Sequence, residues 1–260
     1  MLIAEACEPA FRAPRPATVT PIHAIQADVP AAHRRSRCST CSMRAVCMPP
    51  ELTPEQLARL DSVIFSTRSV KRGEVLYRTG DTFQSIYAIR AGSFKTMVMH
   101  RDGREHVTGF QIAGEALGLD GVCAGKQNCD AIALEDSVVC IIPFAQLEAI
   151  CREMKPMQHH IYQMMSSEIV RESSQMMLLG TMSAEQRVAT FLLNLSKRFK
   201  ARGFSAAEFH LRMTREEIGC FLGMKLETVS RMFSKFQREH LVNANGKTIR
   251  IVDAHGLAQV

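Results

Sequence analysis

The sequence predicts an α+β protein in three parts: an N-terminal β-roll of jelly-roll type, one long helix that pairs with another helix, and a C-terminal winged helix-turn-helix. Three observations carry this. From about residue 62 to 142, short β-rich runs are punctuated by glycines, as in sandwiches and small barrels. From 156 to 179 no glycine or proline follows Pro156, and side chains recur at alternating steps of three and four, the mark of a helix seam. From 214 to 251 the order is helix, glycine turn, helix and Asn-Gly hairpin.

Residues 1–37 are rich in Ala and Pro (Pro9, Pro14, Pro16, Pro21, Pro30) and show no sustained period, so a flexible tail is expected. It closes on His33-Arg34-Arg35-Ser36-Arg37, which is either a solvated basic end or electrostatic support for an anionic neighbour. Residues 38–50 form a cysteine segment, 51–152 the roll, 153–180 the long helix and 181–260 the winged unit. Thr53-Pro54-Glu55-Gln56 is a capping box with proline in the first turn, leading a short helix through Leu57 and Leu60. Strands are expected at Ser62-Val63-Ile64-Phe65 and at residues 74–77, 85–89 and 93–98. Gly73, Gly80, Gly92, Gly103, Gly109, Gly114, Gly118 and Gly121 mark the bends. Pro143 ends the strands ahead of a short helix over 144–150.

In the long helix, Tyr162, Met165, Ile169, Glu172, Met176 and Leu179 form the seam. It is narrow and flanked by Glu168, Arg171, Ser173 and Ser174, which favours pairing with a second copy over packing on its own domain. In a parallel symmetric dimer Glu172 approaches its own copy and opposes association, unless it turns outward to water. Gly180 and Ser183 bound a short hinge. Ser183-Ala184-Glu185-Gln186 is a second capping box, opening a helix through Val188, Phe191, Leu192 and Leu195 that ends on a basic stretch and Gly203.

Thr214-Arg215-Glu216-Glu217 is a third capping box. Its helix runs through Ile218 and Leu222, with Gly219 allowing close contact and Gly223 making the turn. The next helix starts near Leu226 and turns Val229, Met232, Phe233 and Phe236 inward, a helix-turn-helix by spacing. Glu227 and Arg231 share one face near its start, the part that reaches base edges. Arginine pairs bidentately with guanine and glutamate accepts from cytosine; Ser230 is a weaker candidate. A plain surface ion pair is the alternative for Glu227 and Arg231. Thr214, Lys235 and Arg238 suit phosphates. Residues 241–251, with Asn245-Gly246 at the turn, form the wing.

Hydrophobic residues are 46% of the 260, enough for a real core, and the 22% charged fraction argues against global disorder. The net charge of +6 suits a nucleic-acid partner, although solubility alone would explain it. No apolar run is long enough to span a bilayer, and the N-terminus lacks the basic-then-apolar pattern of a secretory signal. A cytoplasmic location is therefore expected, where the nine cysteines stay reduced. The sequence shows no nucleophile–base–orienter set, no Gly-rich phosphate loop and no His-Glu metal motif, so no enzyme is expected.

Cys38, Cys41 and Cys47 place three thiols within ten residues. In a reducing compartment this means metal or redox chemistry. An iron-sulfur cubane takes four thiolates, so a fourth must come from elsewhere, and spacing leaves Cys129 and Cys140 open. Zinc is the rival, but two, five and a distant fourth is not the paired-knuckle spacing of zinc ribbons.

The motifs Cys38-x2-Cys41-x5-Cys47, Leu76-Tyr77-Arg78-Thr79-Gly80-Asp81, Tyr87-Ala88-Ile89-Arg90-Ala91-Gly92, Val139-Cys140-Ile141-Ile142-Pro143-Phe144, Met213-Thr214-Arg215-x2-Ile218-Gly219 and Glu227-Thr228-Val229-Ser230-Arg231 belong together. On them the chain, from about residue 38 to 258, resembles the CRP/FNR superfamily of transcription regulators, and more narrowly its oxygen-sensing FNR/ANR branch. The resemblance implies a cyclic-nucleotide-binding-like roll. It implies one oxygen-labile 4Fe-4S cluster on Cys38, Cys41, Cys47 and Cys140. It implies a homodimer on double-stranded DNA, at a palindromic operator of the TTGAT…ATCAA type. Glu227, Ser230 and Arg231 fall on base-reading positions. Glu172 falls where the family places an acidic residue that disfavours dimers without cluster. The loop containing Asp102, Gly103 and Arg104 resembles a region that contacts RNA polymerase, and a solvated hairpin tip is the plain alternative. On the same fold, a regulator sensing a cyclic nucleotide, haem or thiol redox state is the competing reading. A nucleotide phosphate needs a cation, and no arginine lies between Arg104 and Arg152, so no cyclic nucleotide is expected.

Overall fold

The computed structural model describes residues 34–62, 65–100 and 102–260. The first part of the chain runs β1 (Arg34–Ser36), α1 (Arg44–Cys47), α2 (Pro54–Ser62), β2 (Phe65–Val70), β3 (Val75–Tyr77), β4 (Ser85–Ala91), β5 (Ser93–Met99), β6 (Glu105–Ile112), β7 (Ala116–Leu117), α3 (Gly121–Ala124), β8 (Asp130–Ala133) and β9 (Ser137–Pro143). Then come α4 (Phe144–Glu153), α5 (Lys155–Thr181), α6 (Ala184–Lys200), β10 (Glu208–His210), α7 (Arg215–Leu222), α8 (Leu226–Arg238), β11 (Val242–Asn245), β12 (Thr248–Ile251) and α9 (Ala254–Ala258).

The roll consists of two antiparallel sheets, ordered β1-β2-β9-β4-β7 and β3-β8-β5-β6. Alternating side chains such as Val70, Leu76, Ile89, Phe94, Leu117 and Val139 fill the space between them, as the period of two requires. A second small core gathers Leu57 and Leu60 of α2, Ile86 of β4, Leu147 and Ile150 of α4 and Met157 of α5. It joins the helices to the outer face of the first sheet.

Several expectations need correction. The flexible tail does not extend to residue 37. Arg34, Arg35 and Ser36 pair with Thr67, Ser66 and Phe65 as an edge strand. Backbone hydrogen bonds hold an edge strand, and these leave no trace in hydrophobic periodicity. His33 and the residues before it lie outside the described residues, as does Cys7. Ser62-Val63-Ile64-Phe65 is not one strand: α2 reaches Ser62, whose hydroxyl donates to the Arg59 carbonyl at 2.7 Å, and β2 begins at Phe65. Val63 and Ile64 themselves are outside the described residues. Gly109 is not at a bend but inside β6, opposite Thr96, and Gly121 opens α3. Gly180 stays helical, so the hinge shrinks to Met182 and Ser183. Arg187 compensates by donating to the carbonyls of Leu179 (2.7 Å) and Met182 (3.0 Å), which the end of α5 leaves open.

The winged unit forms as its capping boxes dictate. Ser183 and Thr214 each accept from the backbone N–H three residues on, and Gln186 and Glu217 return the bond. Gly223 takes φ +64°, which a side chain would resist. A Cβ on Gly219 would fall 2.6 Å from the Met224 carbonyl oxygen. Val188, Leu192, Leu195, Ile218, Leu222, Val229, Phe233 and Phe236 form its core. Strand β10 pairs with β12 and widens the wing to three strands. Sequence reading missed this three-residue strand, which is too short to show a period.

The winged unit docks on the roll. Phe110 of β6 lies with Phe191 and Phe221 at ring-centroid distances of 6.0 and 5.2 Å, and Val107 and Leu134 enter the same core. Lys95 reaches Glu217 at 2.8 Å and Arg212 reaches Glu135 at 2.9 Å. Cys220 accepts from the Val107 N–H and donates to the Glu105 carbonyl, both at 3.2 Å. Because Phe110 is buried in this shared core, Phe110→Ala is expected to cost about 3–5 kcal/mol in a urea unfolding titration. A loss under about 1 kcal/mol would show that the ring does not pack between the two units in solution.

Candidate metal centre and nucleic-acid interface

The cysteine segment is a chain of tight turns. Cys41 N–H donates to the Cys38 carbonyl (3.3 Å) and Arg44 N–H to the Cys41 carbonyl (3.1 Å), before the single turn of α1 delivers Cys47. Asp61 of α2 holds the entry: its carboxylate accepts from the Cys38 N–H at 2.6 Å, the Ser39 N–H at 3.3 Å and the Ser39 hydroxyl. Met48 and Leu52 anchor the exit in the small core under α2 and α4. On the far side, His160 of α5 lies with Nε2 3.1 Å from the Cys47 carbonyl oxygen. Burial pushes this imidazole below its usual range, so it is neutral and serves as a donor.

Cys140 comes from β9, with Thr67 beside it on β2 and Ala88 on β4. Its neighbour Val139 points into the roll, so alternation turns Cys140 outward, beneath the cysteine segment. One cavity is lined by Cys38, Cys41, Cys47 and Cys140 together with Arg44 and Arg90. Cys129 is elsewhere: its thiol lies 3.5 Å from Asp120 and packs against the roll interior. Of the two candidates for a fourth thiol, the fold therefore brings Cys140 to the other three. Cys151 packs with the small core, Cys123 is exposed, and Cys220 serves the docking interface.

Burial pushes the Cys38 thiol up to about 12, with Cys140 and Asp61 adding to it. Burial likewise pushes Cys47 up to about 11, while Arg202 pulls the other way. These thiols are protonated at neutral pH unless a cation joins them. Among the described residues no three His, Cys, Asp or Glu close around a single-ion position.

On α5, Tyr162, Ile169 and Met176 of the seam are 59%, 64% and 68% exposed, and Val170 and Met177 widen the apolar stripe. Glu172 lies among them, exposed, with burial and Glu168 raising its carboxyl. Met165 is half-buried. Leu179 packs on the core of the winged unit instead of standing free.

On α8, Glu227 and Arg231 are exposed and Ser230 is half-buried. Neither Glu227 nor Arg231 has an ion-pair partner among the described residues, which sets aside the plain salt bridge. Arg238 is exposed, but Lys235 pairs with Glu185 of α6, with Glu239 3.8 Å away. The Thr214 hydroxyl caps α7 by accepting from the Glu217 N–H at 3.1 Å. Arg215, not singled out from the sequence, stacks 3.4 Å over Phe233 and ties α7 to α8. Asp102, Gly103 and Arg104 form an exposed hairpin tip, where Arg104 donates to Asp102 at 2.7 Å and holds its carboxyl down at about 2. Arg101 is outside the described residues.

Residues 67–154 match the cyclic nucleotide-binding domain family, and residues 186–260 match the Crp-like helix-turn-helix domain family. The chain is 42% identical to the transcriptional activator protein Anr of Pseudomonas protegens, over 85% of this chain and 91% of that one. It is 39% identical to the fumarate and nitrate reduction regulatory protein of Escherichia coli, over 86% and 89% of the two chains. Among solved structures, FixK2 of Bradyrhizobium japonicum superposes with a TM-score of 0.69 at 26% identity, covering 75% of this chain and 96% of that one.

Asp61 and His160 carry no sequence motif, yet they grip the two ends of the cysteine segment. Asp61→Ala leaves the Cys38 and Ser39 amides without their acceptor, a loss of about 1–3 kcal/mol. Hydrogen exchange at these two amides is expected to quicken by at least roughly tenfold, with the amides of β9 unchanged. Unaltered exchange at Cys38 would contradict the anchoring role.

Proposed function

The chain belongs to the FNR/ANR branch of the CRP/FNR family of transcription regulators, DNA-binding proteins and not enzymes, and we propose that it is an oxygen-responsive global regulator of anaerobic-metabolism genes. In this reading Cys38, Cys41, Cys47 and Cys140 hold an oxygen-labile 4Fe-4S cluster. The observation that carries it is the convergence of these four thiols on one cavity. Bound there, the cluster supplies positively charged iron to four thiolates and a bond set that oxygen dismantles. The donor set fits: thiols that burial keeps protonated become thiolates when iron takes the proton's place, and Arg44 and Arg90 line the cavity to offset the residual negative charge.

The chain's own residues connect this site to α5. His160 fixes the Cys47 carbonyl, and Met48 and Met157 share one core. An ordered cysteine segment thereby steadies the N-terminal half of α5, whose exposed apolar stripe pairs with a second copy. Glu172 opposes that pairing, so the dimer forms only when the segment is held. Two copies of α8 then present Glu227, Ser230 and Arg231 to successive major grooves of a TTGAT…ATCAA-type inverted repeat. Thr214 and Arg238 meet phosphates, and Lys235 does so only by leaving Glu185. The tip at Asp102, Gly103 and Arg104 is assigned to RNA polymerase. No cyclic nucleotide takes part in this scheme. Tyr77 and Tyr87 stack at 5.6 Å in the roll, with Tyr77 and Phe94 buried, and no arginine lies between Arg104 and Arg152, the stretch where a phosphate-binding segment would fall.

Two experiments test the reading. Reconstituted without air from iron and sulfide, the wild-type protein and Cys129→Ser are expected to hold about four irons per chain with visible charge-transfer absorbance, and Cys140→Ser to lose most of it. Iron-free wild type, or full loading of Cys140→Ser with loss in Cys129→Ser, would contradict the assignment. Glu172→Ala is expected to raise the dimer fraction in air, seen by sedimentation velocity, and an unchanged profile would remove Glu172 from the seam.

A further inference from the structure

The cysteine segment touches more than α5. Val46 and Met43 rest on Gly114 at the turn between β6 and β7. A Cβ there would lie 2.6 Å from Val46 Cγ1 and 3.2 Å from both Met43 Cε and Arg202 Nε. The Arg202 guanidinium thus sits over the same glycine as the two loop side chains, although it belongs to the segment just after α6, in the DNA-binding unit. Its other nitrogens are committed: Nη2 donates to Glu115 at 2.8 Å and Nη1 to the Arg198 carbonyl at 2.8 Å. Its Nε–H is buried and has no partner among the described residues. A buried donor left without an acceptor is costly, so it points to an acceptor that arrives in another state. Arg202, Val46 and Cys47 border one cavity together with Gly114 and Glu115.

Glu115 makes this position consequential. Its side chain is 11% exposed and lies among Arg198 and Arg202 of the winged unit and Arg171 of α5, the last at 3.9 Å. Burial alone would raise its carboxyl, but the three guanidiniums outweigh that and hold it ionised. A buried carboxylate of this kind is costly unless every partner stays in place. Roll, dimer helix and DNA-binding unit therefore meet at one carboxylate, and Arg202 is the side chain that also reaches the cysteine segment.

We propose that Arg202 is the positioning residue that links the cysteine site to the DNA-binding unit, by donating its Nε–H to the Cys47 sulfur once that sulfur is a metal-bound thiolate. A neutral thiol is a weak acceptor and a thiolate a strong one. Metal loading thus draws Arg202 toward the loop while Nη2 keeps hold of Glu115, and the end of α6 is fixed against the roll. This rests on the cluster reading above.

The test uses the full chain loaded anaerobically with iron and sulfide, as wild type, Arg202→Gln, Arg202→Lys and Glu115→Gln. Three readouts apply: the visible charge-transfer band, iron loss to a chelator, and the ratio of operator affinities with and without cluster. Both Arg202 variants are expected to load, to shift the band, and to lose iron to the chelator roughly tenfold more readily. Their affinity ratio is expected to drop from roughly tenfold or more to within about twofold. Glu115→Gln removes the ion pair but leaves the Nε–H, so its band is expected to match wild type. The idea is overturned if Arg202→Lys restores the wild-type band, because charge alone then suffices, or if both Arg202 variants load and keep the wild-type ratio. Wild type that takes up no iron would sink the cluster reading and this inference together, and is told apart because no variant then shows a band.

Discussion

Four half-buried thiols facing one cavity pose a charge problem on which the rest of the molecule depends. Burial and mutual repulsion keep Cys38 and Cys47 protonated, so these two thiols carry no charge at rest. On the proposed reading the pocket becomes a thiolate site when iron enters it, and a cluster left with net negative charge would be balanced by nearby arginines. Arg44 and Arg90 line the cavity, and Arg202 lines a neighbouring cavity that Cys47 also borders. On the proposed reading the pocket has two electrostatic states, and a two-state element is what a sensor needs.

Around that pocket the fold distributes its contacts so that few parts are independent of it. The fourth thiol is on the central β9 strand, which cannot move without the roll. The other three are on a segment held by Asp61 on one side and His160 on the other. His160 belongs to the helix whose far face is an exposed apolar stripe. Arg202 and Arg198 belong to the unit that carries the recognition helix, and they share Glu115 with Arg171 of that same long helix. The docked core at Phe110 and the ion pair of Lys95 with Glu217 hold the first helix of the helix-turn-helix against the roll. A change at the cysteines thus meets a connected set of contacts, each with a named pair of atoms.

Much of this was legible in the chain itself, for physical reasons. Capping boxes at Thr53, Ser183 and Thr214 depend on local spacing, and all three form. Gly223 and the Asn245-Gly246 turn need conformations that few other residues take. The alternating seam of α5 was legible from its spacing, and Tyr162, Ile169 and Met176 of it remain exposed in one chain. What escaped was what local pattern cannot encode. Strands β1 and β10 are three residues each and take their place by backbone pairing with β2 and β12. The end of α2 and the start of β2 meet in a β-branched stretch, where propensity misled. Asp61, Glu115 and Arg202 are ordinary charged residues until the fold brings together positions up to 87 apart in the chain. The choice of Cys140 over Cys129 needed the pleat of β9, which turns one thiol outward to the loop while Cys129 packs against the roll interior.

The central claim is that the state of the cysteine site governs binding to DNA. It is met most directly by titrating a labelled TTGAT…ATCAA duplex with iron-loaded protein under nitrogen, then repeating the titration on the same sample after exposure to air, with iron counted at each stage. The account predicts tight binding under nitrogen and a loss of roughly tenfold or more in affinity as iron is released. Equal affinity before and after air, or binding that appears only on adding a cyclic nucleotide, would contradict it.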